Sequence, residues 1–98
     1  MKVKDLLSGP DKWVQFESAV DADGCFVSAT SPDACRWCLS GELIACYPRA
    51  NQRIEMRKRL RDVIAELKNK PAKHVFIPDF NDKSDWDTVK MVIDKANI

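Results

Sequence analysis

Glycine is scarce in this chain of 98 residues, with three in all, and there is one histidine and one tyrosine. So little glycine argues against an all-β chain built on many tight turns and favours helix. No apolar run approaches the ~20 residues that span a bilayer. The start, Met1-Lys2-Val3-Lys4-Asp5, lacks the apolar core of a secretion signal, so the expected location is the cytoplasm. In that setting Cys25, Cys35, Cys38 and Cys46 are expected as reduced, packed thiols and not as a disulfide framework.

The shortage of histidine also limits the chemistry. Zinc takes four ligands, and Cys35-x-x-Cys38 would need two more from Cys25, Cys46 and His74. On a continuous helix Cys35 and Cys46 would stand roughly 16 Å apart, too far to share one ion. No metal and no cofactor is expected. A thioredoxin-like pair needs a βαβ setting that the pattern does not offer. Cys38, His74 and Asn81 follow the chain order of a papain-like hydrolase, but no oxyanion-hole signature accompanies them. Asp21-Ala22-Asp23-Gly24 lacks the later acidic ligands of a calcium loop and is read as a turn.

What the chain does have is an ordinary apolar content, 45%, and many charges, 32%, fitting one folded domain over residues 1–98. The net charge of +1 hides an asymmetry. Residues 1–48 carry four Lys/Arg and seven Asp/Glu, residues 49–73 nine and three, and residues 74–98 three and five. A basic middle between acidic ends can meet an anionic partner or its own ends.

Val3 to Ser8 is predicted as a short helix stopped by Gly9-Pro10. Alternation over Trp13–Val20, the Asp-Gly turn and Cys25-Phe26-Val27 predict a β-hairpin. Ser31-Pro32-Asp33 carries the signs of a helix start, and the spacing predicts a helix from there to about Tyr47. That helix would be apolar over most of its circumference, with a small-residue stripe at Ala34, Cys38, Gly41 and Ala45. Residues 50–69 give the clearest amphipathic pattern, with Met56, Leu60, Val63, Ile64 and Leu67 inward. Val75–Ile77 is predicted as a short strand or a buried extended segment, Asp79–Asp82 as a turn, and Ser84 with Asp87 as a capping box for a last helix. The expected fold is α+β, mostly helical, with a small N-terminal hairpin packed on about three helices.

Two groups of side chains are candidates for function. Arg53, Arg57, Arg61 and Lys68 line one flank of the basic helix and could contact an anionic partner, nucleic acid included. No aromatic is interleaved with them, and pairs such as Glu55–Arg59 and Lys58–Asp62 can compensate charge along the helix. Glu42 falls inside the apolar arc of the central helix, where a carboxylate needs a partner or a proton. An arginine of the basic helix is the expected partner. The alternative is a small-molecule or nucleotide-binding protein, or an enzyme, with a pocket formed by Cys38, Glu42, Asn81 and Asp82.

Trp13, Asp23-Gly24, Ser31-Pro32-Asp33-Ala34, Trp37-Cys38, Gly41, Leu43 and Asn81-Asp82 occur in an order that resembles a family of small bacteriophage and bacterial proteins of uncharacterised activity. Its members typically show a Trp/Phe-Cys-x-x-Gly-Ala-Leu helix and a late Asn-Asp before a final helix. The likeness spans most of the chain except residues 48–74, and this sequence departs from it at Glu42, where alanine is usual. The resemblance implies a phage or prophage setting and a non-enzymatic accessory protein that binds a host or phage protein, for instance to inhibit a host system. It also groups Cys38, Gly41, Asn81 and Asp82, with the Asn81-Asp82 turn expected to lie against Gly41.

Overall fold

In the computed structural model, which describes residues 1–98, the chain runs α1 (Val3–Leu6), a 3-10 turn at Pro10–Lys12, β1 (Ala19–Val20), β2 (Arg36–Trp37), α2 (Leu39–Cys46), α3 (Ala50–Lys68), a 3-10 turn at Ala72–His74, α4 (Ile77–Lys83) and α5 (Trp86–Ala96). The class is the expected one: a mostly helical α+β fold with one small antiparallel pair of strands. The radius of gyration, 12.5 Å, is that of a single domain of this length. No helix is long and apolar enough to cross a membrane.

The two C-terminal amphipathic helices follow the sequence. In α3, Leu60, Ile64 and Ala65 face inward; in α5, Val89, Val92, Ile93 and Ala96 do. Both end at an asparagine in the left-handed region, Asn69 and Asn97 (each φ 53°), whose N–H groups bond back to carbonyls of the last turn. These helices, with α1, α2 and α4, enclose the main core, in which Leu39, Leu43, Leu60, Val89, Val92 and Ile98 are fully buried. A second, smaller cluster of Ala19, Ala29 and Trp37 sits under the strands.

The middle of the chain differs from the sequence expectation. No helix begins at Ser31. The Ser31 hydroxyl accepts from Asp33 N at 3.1 Å and Ser31 O from Ala34 N at 3.1 Å, so the cap-like residues close one turn and no more. The chain then extends, and β2 pairs with β1 in the register Ala19↔Trp37 and Val20↔Arg36. Burial of Trp37, with its indole N–H donating to Ala29 O at 3.0 Å, favours the strand over another turn of helix. The helix starts only at Leu39, so Cys35, Trp37 and Cys38 do not share it. Of the expected hairpin, Cys25–Val27 contributes a single bridge, Val20↔Phe26, and Trp13 bridges to Trp37 in the parallel sense.

Two further expectations are corrected. Val75 and Phe76 are extended without pairing in a sheet, so of the two readings the extended segment holds and the strand does not. Asp79–Asp82 is not a turn, since Ile77–Lys83 is the helix α4, with Pro78 in its first turn, where a missing N–H costs nothing. The cap of α5 is Asp85, not Ser84: its carboxylate accepts from Thr88 N at 2.9 Å, and hydrogen bonding with Thr88 holds it below the usual carboxylate range.

Candidate functional site

The residues grouped around the start of α2 form a structural joint. Asn81, fully buried on α4, uses all four of its amide valences. Its oxygen accepts from Trp13 Nε1 at 2.7 Å and from Leu39 N at 3.1 Å; its nitrogen donates to Val14 O at 3.1 Å and Asp82 Oδ1 at 3.2 Å. Leu39 N is one of the free N–H groups at a helix start, so Asn81 caps α2 from another helix. Asp82 accepts from Phe16 N at 2.7 Å. Gln15 donates its side-chain amide to the carbonyls of Asn81, Asp82 and Ser84, at 3.3, 3.1 and 2.9 Å. Nothing in the sequence singles out Gln15 beyond its alternation with Val14 and Phe16. Phe16, held at φ 72° and exposed, is the one bulky residue with strained backbone.

Gly41 does permit a close backbone approach, but the visitor is Ser18 and not the Asn81-Asp82 segment. A β-carbon there would overlap the Ser18 carbonyl oxygen. The same carbonyl accepts from Cys38 N at 3.2 Å, and the Cys38 sulfur accepts from Gly41 N at 3.3 Å as the cap of α2. Burial pushes the Cys38 thiol up, against a thiolate nucleophile. His74 makes no side-chain hydrogen bond to Cys38 or Asn81, so the papain-like order does not become a papain-like geometry. Cys35 precedes β2 and Cys38 follows it as the cap of α2, and no three His, Cys, Asp or Glu side chains gather where one ion could join them.

Glu42, whose burial the sequence left open, is fully buried, and the expected arginine does not reach it. Neither carboxylate oxygen has a hydrogen-bond partner. Desolvation raises its pKa to about 8, so at neutral pH it is a neutral acid in the core. One turn on, burial and the nearby Glu42 push the Cys46 thiol up to about 12. Of the four residues offered for a pocket, Cys38 and Asp82 border a hollow of about 110 Å³ with Phe16, Ser18, Ser40 and Pro78; Glu42 and Asn81 do not line it.

The basic flank divides. Arg53 turns back and donates from one guanidinium nitrogen to Tyr47 O at 2.9 Å and Pro48 O at 2.7 Å, closing the end of α2. Arg59 pairs with Glu55 at 3.3 Å, whereas Lys58 and Asp62 do not pair. Arg57, Arg61 and Lys68 have no carboxylate within 4.0 Å. At helical spacing they share one face with Lys58 and with Ile54, which is 64% exposed. Beyond Lys68 that face meets a cleft of about 250 Å³ under the end of α3. Compared with family models, curated proteins and solved structures, the chain matches none of them.

Proposed function

We propose that this protein is a non-enzymatic binding module that docks an acidic surface of a partner protein through the exposed face of α3. The observation that carries the reading is a set of cations without a carboxylate partner along one face of α3: Arg57, Lys58 and Arg61 follow the exposed Ile54 within two turns, and Lys68 continues the row to the helix end. Arginine beside a single apolar side chain is the make-up of interface centres, and unpaired positive charge steers an acidic partner. Arg53 leaves this set, because its guanidinium closes α2. The phage or prophage setting implied by the sequence resemblance fits an accessory protein acting on a host or phage macromolecule.

The test is affinity capture from bacterial lysate with and without nuclease, comparing the natural chain with Arg57→Glu/Arg61→Glu. Arg61 is exposed and Arg57 half-buried, so the two changes should cost about 1 kcal/mol or less of stability. Proteins retained by the natural chain and lost with the double variant support the reading. An identical set from both removes the face as the contact surface, and loss of all capture on nuclease treatment moves the partner to nucleic acid.

A further inference from the structure

The cleft at the end of α3 has a chemistry of its own. Asn69 closes the helix in the left-handed region, with Lys70 N bonding to Ala65 O at 3.0 Å, and Pro71 turns the chain away. The returning segment is extended just before α4, so successive side chains alternate: Val75 and Ile77 enter the core while Phe76 points out and is 67% exposed. Ile64, Val75 and Phe80 form a buried apolar floor, and Phe76 stands at the rim. Lys68, Lys70 and Lys83 surround it with one carboxylate, Asp79, which is taken by Lys83 at 3.0 Å. The Lys68 ammonium lies 5.8 Å from the centre of the Phe80 ring.

Resting on the proposed docking role of α3, we infer that this cleft is the anchor pocket for one aromatic side chain of the partner, carried in an acidic peptide segment. Its volume, about 250 Å³, lies below the roughly 300–1,000 Å³ of small-ligand pockets and suits a single large side chain. Phe76, exposed at the rim, offers its ring to a second aromatic ring, while Phe80 lies in the floor beneath the Lys68 ammonium. Lys68 and Lys70, which have no carboxylate partner, flank the opening. Lys68 is also one heptad beyond Arg61, roughly 10 Å along the helix, so acidic residues beside the anchor meet the basic face of α3. Charge and shape therefore select the same occupant.

The probe is a fluorescein-labelled nine-residue peptide with a central phenylalanine between aspartates and glutamates, beside a twin with serine at the centre. Binding is read by anisotropy and by amide shifts. The phenylalanine peptide should bind at least tenfold more tightly than its twin and shift the amides of Val75, Phe80 and Ser84. Phe76→Ala should weaken it about tenfold or more, as truncation of an aromatic anchor contact does, and Lys70→Glu should weaken it too. Equal binding of the two peptides, or shifts confined to Arg57 and Arg61, overturns the anchor pocket while leaving the α3 face standing. Cleft shifts that persist in Arg57→Glu/Arg61→Glu, with lysate capture unchanged, would keep the pocket and remove the face.

Discussion

Glu42 shows how a single residue can work against the fold that holds it. Its carboxyl is buried with no partner, and its pKa rises from 4.5 to about 8. The folded state therefore keeps a proton that the unfolded state loses. Any stability gained from this is complete below pH 4.5, falls through the window to about pH 8 and is gone above it. The slope is at most about 1.4 kcal/mol per pH unit. Urea unfolding of Glu42→Gln, which stays neutral throughout, should show no such fall, and the variant should overtake the natural chain near pH 8. Parallel pH profiles for the two would mean that Glu42 is not buried and alone. The sequence marked Glu42 as out of place in an apolar arc but left open both its burial and its partner, because these depend on what packs over α2 and on where the arginines of α3 point.

At the scale of elements, short pieces are held by polar joints more than by their own propensity. The eight residues of α2 are too few to be stable alone. One end is closed by the Cys38 sulfur and the Asn81 amide, the other by the Arg53 guanidinium. Asn81→Ala would leave Trp13 Nε1, Leu39 N and Val14 O without their partner. At about 1–3 kcal/mol for each buried orphan, with partial access to water, a loss of about 3–5 kcal/mol is expected in chemical denaturation. A loss under about 1 kcal/mol would show that the joint is not needed. α3 and α5 were legible because their apolar periodicity is long and uninterrupted. α4 was not, since Ile77–Lys83 is two turns long and its Asp-Phe-Asn-Asp letters also suit a turn.

Over the whole molecule, burial sorts the four thiols. Cys25 is exposed, Cys35 and Cys46 are intermediate and Cys38 is buried. Since the thiolate is the reactive form, the upward shifts at Cys38 and Cys46 add to their shielding. Iodoacetamide labelling at pH 8, followed by peptide mass spectrometry, should modify Cys25 first and Cys38 and Cys46 last. Labelling of the last two should slow at least about tenfold relative to unfolded chain, in keeping with roughly tenfold fewer thiolates per unit of pKa. Equal rates at all four would contradict the packing. The charge asymmetry also acquires a place. The acidic first half holds the strands and loops, while the basic segment is one long helix with half its face in water.

The sequence by itself determined the class and the two long amphipathic helices, because each follows from periodicity within one element, whereas the burial of Glu42 was settled only by the packing around α2. The tertiary structure alone decided that residues 31–38 would extend, that Ser18 would lie on Gly41, and that Asn81 would join three segments. Those outcomes depend on contacts far apart in the chain: β1 offering a ladder to Arg36–Trp37, a carbonyl arriving at a glycine, and an amide with three distant partners. A helix start signal at Ser31 was present and locally sound. It lost because burying Trp37 beside Ala19 and Ala29, with its backbone paired, outweighs the weak helix preference of the residues between.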